Sequence, residues 1–388
     1  MTDTGSSLPP GAWLGCLGGG QLGRMFVHAA QRLGYHVLVL DPDAEGPAAQ
    51  AADAVLVAAH DDADALDRLA RRAAAVTTEF ENVPAVALER LAEKVCVRPG
   101  AQAVRIAQDR RLEKRFLRSA GAPIVDFAVI ETEADLAAID PALLPGVLKT
   151  ASLGYDGKGQ ARVVDGVALR AAWERLRRVP CVLEAWVAYD SEASVLLARA
   201  GDGAMVTWPV QQNTHRNGIL ARTRVPAELA PTVAAEAQSI ARGIAEALDY
   251  VGVLCVEMFV AGDRVLVNEL APRPHNSGHY TIEAAVTSQF EQQVRVLAGL
   301  PLGPTEIRRP AVMVNLLGDV WFDAPEPMCP AWRDLLALPD VHLHLYGKAE
   351  PRRRRKMGHV TCLGDTLAAA DALADRVEAV LRIRHESA

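Results

Sequence analysis

The stretch Val253–Gly278, VLCVEMFVAGDRVLVNELAPRPHNSG, decides the reading of this chain. Two apolar, β-branched runs flank Ala261-Gly262-Asp263-Arg264, and this turn-prone break predicts a β-hairpin. Each arm carries a carboxylate, Glu257 in the first and Glu269 in the second, and Asn268 adds an oxygen beside Glu269. Both glutamates lie within otherwise apolar runs, where an unpaired charge is costly. Hard divalent cations such as magnesium take clustered oxygen ligands and share them with substrate phosphates. The pair therefore points to a metal–phosphate site rather than a solvated hairpin. The two residues face each other only if the loop between them is odd-numbered, which a bulge at Gly262 supplies. A polar run follows at once: Arg273, His275, Asn276, Ser277 and Gly278.

Upstream, strand and helix signals alternate from Trp13 to about residue 100, which predicts an open parallel sheet. A charged amphipathic helix over Asp109–Ala120 closes this module at Gly121 and Pro123. A second module runs from about 121 to 310, and a smaller tail module follows from 311 to 388. Residues 1–12 read as a disordered extension. The first module carries Gly18, Gly20 and Gly23 in a GxGxxG pattern after a strand, with Asp41 ending the next strand. That is the dinucleotide fingerprint, and alone it suggests a nicotinamide dehydrogenase. Gln21 and Arg24 within it suggest contact with a substrate anion instead.

A second glycine-rich loop, Gly154-Tyr155-Asp156-Gly157-Lys158-Gly159-Gln160, follows a strand ending in Lys149. Its backbone amides can approach phosphates, and a lysine entering from a strand is a phosphate clamp. Glu184-Ala185-Trp186-Val187 reads as an edge segment able to present amides to an adenine ring, with Glu192 placed for ribose hydroxyls. His215, beside Asn217 and Gly218, is more often structural than catalytic. The basic run Arg352–Lys356 lies inside a folded module, where it can meet a substrate phosphate with Lys348 nearby.

Composition narrows the classes. The 388 residues exceed one ordinary core, and half are hydrophobic, so a globular chain of two or three domains is expected. A formal net charge of −7 argues against general nucleic-acid binding. The six scattered cysteines form no CxxC pair and read as reduced thiols of a cytoplasmic protein. No secretory leader and no membrane span are expected.

Four stretches together resemble the 5-(carboxyamino)imidazole ribonucleotide synthase family of the ATP-grasp superfamily. They are GGGQLGR (18–24), GYDGKGQ (154–160), NELAPRPHNSGH (268–279) and YGK…RKMGH (346–359). The likeness runs from about residue 13 to 380. It implies an α/β ATP-grasp architecture: an N-terminal open parallel sheet domain, a central ATP-grasp body with a lid over about 121–190, and a small C-terminal module. It implies ATP-dependent carboxylation of 5-aminoimidazole ribonucleotide by bicarbonate, through carboxyphosphate, in purine biosynthesis. It further implies magnesium, small-molecule substrates, a cytoplasmic location and a homodimer.

Carried over residue by residue, the resemblance gives ATP to Arg110, Lys149, Gly154–Gln160, Glu184, Ala185, Trp186, Val187, Glu192, His215, Asn268 and Glu269. Glu257 and Glu269 would hold magnesium. Asp156, Lys158, Arg273 and His275 would be catalytic. Gln21, Leu22, Glu81, Tyr155, Asn276, Ser277, Lys348 and Arg355 would meet the ribonucleotide, with Glu79 the other candidate for the place given to Glu81. Arg353-Arg354 stand where the family commonly has Pro-Gly, which puts the local turn in question. Another ATP-grasp ligase, such as a formate-dependent glycinamide ribonucleotide transformylase or a biotin carboxylase, lacks the tail motif. A dehydrogenase leaves the second glycine loop and the paired glutamates unexplained. An inactive binding module is disfavoured by the presence of Lys149, Glu257 and Glu269 together.

Overall fold

The computed structural model describes residues 7–152, 159–322 and 328–383. The first sheet contains β1 (Trp13–Leu17), β2 (His36–Asp41), β3 (Ala54–Val57), β4 (Ala75–Thr78) and β5 (Cys96–Val97). All pairs are parallel and the order is β3-β2-β1-β4-β5. Chain order reverses between β1 and β4, and a crevice opens beyond the carboxyl ends of such strands. Gly18–Gly20 leave β1 there, and Glu79–Glu81 leave β4. The helix Gln21–Arg32 buries Met25, Phe26 and Ala30 against helix Gln289–Leu297, through Phe290, Val294 and Leu297. This contact ties the first module to the second.

Residues 7–12, part of the expected disordered extension, are instead ordered against the body. The Leu8 amide donates to Ala298 O at 2.8 Å, Tyr35 Oη donates to Leu8 O at 2.8 Å, and Gly11 N donates to Gly34 O at 2.7 Å. Residues 7–12 are thus fastened to the body by paired backbone groups and by the apolar Leu8 side chain.

The second sheet is β6 (Phe127–Ile130), β7 (Gly146–Thr150), β8 (Gln160–Val163) and β9 (Cys181–Ala185), all antiparallel in the order β6-β9-β7-β8. The third comprises β10 (Ser191–Arg199), β11 (Met205–Thr207), β12 (Gln211–Arg216), β13 (Ile219–Val225), β14 (Gly252–Ala261), β15 (Arg264–Ala271), β16 (Ala311–Leu317), β17 (Val341–Leu345) and β18 (Lys356–Leu363). Its path is β15-β14-β10-β12-β13-β16-β18-β17, with β11 beside β10. The tail therefore continues the central sheet through the β13–β16 pair instead of forming a sheet of its own. Helix Pro231–Ala247 packs Val233, Ala237, Ala241 and Ile244 against Val195, Leu254 and Val256. Its small side chains bring the helix close to the β-branched sheet face, and each larger apolar side chain buried there contributes about 1.5–3 kcal/mol.

Candidate active site

The glycine loop after β1 is already filled by the chain's own carboxylates. Gly19 N donates to Asp41 Oδ2 at 2.6 Å, Gly20 N to Glu79 Oε1 at 3.0 Å, and Gly23 N to Glu79 Oε2 at 3.2 Å. Gly18 sits at φ +102°, and a Cβ there would lie 2.5 Å from Glu79 Cγ. A dinucleotide pyrophosphate needs those same amides. The nicotinamide reading is therefore corrected: the glycines serve carboxylate packing, and Asp41 holds the loop instead of a ribose. Burial pushes the Glu79 carboxyl up, while the Gly23 and Gly20 amides pull it back. Glu81 differs. Burial opposes its charge too, but the Arg273 guanidinium, bonded to it through Nε, holds it down to about 2.

The hairpin forms with a two-residue turn at Gly262 (φ +61°) and Asp263. The expected bulge at Gly262 is corrected by the register. Ala261 pairs Arg264 and Met258 pairs Val267, whereas Glu257 pairs Glu269. The extra residue is Asn268. Residues directly opposite on antiparallel strands share a face, so both glutamates point the same way. Glu257 Oε1 meets His275 Nε2 at 3.0 Å, and Glu269 Oε2 meets Arg110 Nη1 at 2.9 Å. Burial opposes the Glu257 charge, but His275 holds it down to about 2. His275 in turn is pushed up to about 10, against its burial, by Cys255 and Glu257.

Behind the bulge lies a buried cluster of charges. Lys149 Nζ donates to Glu184 Oε2 at 2.7 Å and to Asn268 Oδ1 at 3.3 Å. Lys114 Nζ donates to the Asn268 carbonyl at 2.9 Å and lies 3.2 Å from Glu184 Oε1, in ion-pair range but outside hydrogen-bond geometry. Burial opposes the Glu184 charge, yet Lys149 and Lys114 hold it down to about 2. Lys114 and its neighbour Glu113, whose Oε1 accepts from Leu270 N at 2.6 Å, were missed in the sequence. The signal was present: Arg110, Glu113, Lys114 and Leu117 follow i, i+3, i+4, i+7 spacing, so one helix face carries all four.

The edge-segment reading of Glu184–Val187 is corrected for the Ala185 and Trp186 amides. β9 lies between β6 and β7, and the Ala185 and Trp186 amides already donate to Asp126 O at 2.9 Å and Pro145 O at 2.8 Å. The half-exposed Trp186 ring lies under the Arg162 guanidinium at 4.1 Å. Glu192 pairs with His215 and accepts from Tyr189 Oη at 2.7 Å. Ser277, expected at the ribonucleotide, is fully buried and instead bonds Ser194 Oγ and His275 Nδ1, each at 2.9 Å. Gly154, Tyr155, Asp156, Gly157 and Lys158 lie outside the described residues, while Gly159 (φ +71°) leads into Gln160 at the start of β8.

A cavity of about 760 Å³ collects much of the remaining set. Gln21, Leu22, Glu79, Glu81 and Arg110 reach it from the first module, and His215, Glu257, Glu269, Arg273, His275 and Asn276 from the second. Lys348 and Arg352–Lys356 reach it from the tail. Lys348 Nζ donates to Lys356 O at 2.6 Å, and Arg355 Nη1 donates to Glu350 O at 3.0 Å. Lys149, Glu184, Asn268 and Glu192 stand just behind its wall through the contacts above.

Comparison with known proteins agrees with this geometry. Sequence models of the ribonucleotide synthetase preATP-grasp domain, the ATP-grasp domain and the phosphoribosylaminoimidazole carboxylase C-terminal domain match residues 12–108, 115–290 and 311–373. The N5-carboxyaminoimidazole ribonucleotide synthase of Brucella melitensis is 44% identical over 360 residues, which cover 92% of this chain and 97% of that one. The chain belongs to this family. Its fold is the family's α/β ATP-grasp fold. A crystal structure of an N5-carboxyaminoimidazole ribonucleotide synthetase with ADP superposes with a TM-score of 0.89 at 39% identity, covering 96% of this chain and 98% of that one. The Aspergillus clavatus synthase in complex with ADP and 5-aminoimidazole ribonucleotide gives 0.88 at 33% identity, covering 96% and 99%.

Arg354, which stands where the resemblance leads one to expect glycine, takes φ +64°. Glycine enters this region freely, whereas other residues pay roughly 1–3 kcal/mol. The Arg354 conformation is held from two sides. Arg354 N donates to Asp319 Oδ2 at 2.6 Å, and its Nη2 donates to Asn217 O at 3.0 Å, tying the tail loop to the β12–β13 hairpin.

Proposed function

We propose that this cavity is where the family reaction takes place, with the first module, the central body and the tail each supplying one wall. That reaction is the ATP-dependent carboxylation of 5-aminoimidazole ribonucleotide in purine biosynthesis, and the chain is an ATP-dependent carbon–nitrogen ligase. The terminal phosphoryl group of ATP passes to a bicarbonate oxygen, giving ADP and carboxyphosphate. The exocyclic amine of the ribonucleotide then attacks the carboxyl carbon, and phosphate leaves with the bonding electrons. The observation that carries the reading is the convergence of two facing carboxylates and cations from three modules on one cavity. Phosphoryl transfer is mainly positioning and charge stabilisation, so such a site supplies what the chemistry needs.

Glu257 and Glu269 fit a magnesium ion, since they are opposite residues on one face and both border the cavity. The ion would screen the charge that builds up between nucleotide and carboxyphosphate. Arg110, Lys149 and His215 are assigned to ATP, with the described parts of the second glycine loop, Gly159 and Gln160. Arg273 and His275 are assigned to the carboxyphosphate, and Gln21, Glu81, Asn276, Lys348 and Arg355 to the ribonucleotide. The working units in this proposal are 13–120, 121–310 with its lid over about 121–190, and 311–388. A cytoplasmic homodimer completes it; no described helix is long and apolar enough to cross a membrane.

The test is phosphate release from ATP and bicarbonate, with and without 5-aminoimidazole ribonucleotide. Magnesium-dependent release stimulated by the ribonucleotide is expected. Turnover of formate with glycinamide ribonucleotide, and none with the first pair, overturns the assignment.

A further inference from the structure

Behind Asn276, a chain of side chains is oriented from end to end by backbone groups. His275 N donates to Gln289 Oε1 at 2.8 Å, and Gln289 Nε2 donates to His275 O at 2.8 Å. One backbone donor and one backbone acceptor leave this amide a single orientation. The fit is close: a Cβ at Gly278 would come within 2.4 Å of Gln289 Oε1. Gln289 Nε2 also lies 3.4 Å from His279 Nδ1. An amide nitrogen can only donate, so Nδ1 accepts and the ring proton resides on Nε2. Nε2 is 3.0 Å from Asn276 Oδ1, which therefore accepts. The NH2 group of Asn276 is what remains for the cavity that this residue borders.

The tail keeps that ring neutral. His359 of β18 stacks on His279 with centroids 4.6 Å apart, and His344 of β17 stacks on His359 at 4.5 Å. Phe290 and Tyr346 close further sides at 5.8 and 6.1 Å. His279 is 1% exposed. Burial pushes its proton affinity well down, and His275, His344, Lys356 and Arg273 add repulsion. A cationic ring would still donate to Asn276, but it would also turn Nδ1 into a donor facing the Gln289 amide hydrogens.

We propose that His279 is a positioning residue whose fixed tautomer makes Asn276 a hydrogen-bond donor to an anionic oxygen of the bound substrates. The choice of an anionic oxygen follows from the Arg273, Lys348 and Arg355 cations on the same cavity. It rests on the proposed reaction for the identity of those substrates, and on geometry alone for the tautomer.

Two measurements on the full chain test it. Long-range 1H–15N correlation spectra of the free protein should show His279 as a single Nε2–H tautomer near neutral pH. A cationic ring or an Nδ1–H tautomer overturns the inference, whatever the substrate. In kinetics, His279→Leu should raise the Michaelis constant for either the ribonucleotide or bicarbonate roughly 5- to 20-fold, with kcat within about twofold. Which of the two constants moves identifies the source of the oxygen. His279→Gln, whose side-chain amide can still donate to Asn276, should recover most of the loss, and His279→Leu should add nothing in an Asn276→Ala background. A Leu variant that acts additively with Asn276→Ala, or a Gln variant with no recovery, overturns it. If the wild type does not turn over the ribonucleotide, the proposed reaction fails and the spectrum alone decides the tautomer. The spectrum also decides if the Leu variant does not fold.

Discussion

Replacing Glu184 should cost more stability than replacing Lys114, and the two changes should not add. The Glu184 side chain is 4% exposed and holds Lys149 Nζ at 2.7 Å and Lys114 Nζ at 3.2 Å. Glu184→Gln leaves two buried ammonium groups without their carboxylate, and breaking a buried pair this way costs about 3–5 kcal/mol. Lys114→Met leaves Glu184 paired with Lys149. It orphans the Asn268 carbonyl, for about 1–3 kcal/mol, and methionine packing offsets part of that. The double variant should therefore show a coupling of about 0.5–3 kcal/mol. Urea unfolding of the four proteins near neutral pH measures this, since Glu184 is held down to about 2 and stays ionised there. Ellipticity and tryptophan fluorescence must coincide for the free energies to be comparable. The reasoning is refuted if Lys114→Met costs as much as Glu184→Gln, or if the effects add within about 0.5 kcal/mol.

Glu269→Gln should lower kcat by on the order of 100-fold or more while changing ADP affinity only a few-fold, because in the proposed site the carboxylate would act on the reacting phosphates through magnesium more than on the nucleoside; equal losses in both count against the paired-glutamate site. Arg355→Ala should raise the Michaelis constant for the ribonucleotide about 10- to 150-fold and leave that for ATP nearly unchanged; the reverse pattern removes the tail from that site. Burial pushes the His359 ring well below the ordinary histidine range. Its contribution to stability is complete above the unfolded value of about 6.5 and declines as pH falls below it, by up to roughly 1.4 kcal/mol per unit. His359→Asn should therefore lose less stability than wild type between about pH 6.5 and 5.5, and parallel urea midpoints across that window contradict the buried neutral ring.

Local pattern was enough for the elements themselves. The alternation of strand and helix signals from Trp13 to about residue 100 anticipated the parallel sheet, and the break at 261–264 between two apolar runs anticipated the β14–β15 hairpin, because such signals report which segments are buried. The two glycine loops, the paired glutamates and the tail cations were visible as residue types at fixed spacings, and their wording carried the family. Three matters were decided only by packing over long sequence separations. GxGxxG is compatible with a pyrophosphate until Glu79, 59 residues from Gly20, fills its amides. The hairpin's register is undetermined by its turn, because a bulge can fall anywhere along two arms of similar composition. It falls at Asn268, where Lys114, 154 residues away, binds the carbonyl. Glu184 reads as the start of an edge segment facing an adenine ring until the sheet order buries it between two lysines. A sequence records the side chains that a site can use, but which buried charge meets which partner is settled by the desolvation cost of leaving any of them alone.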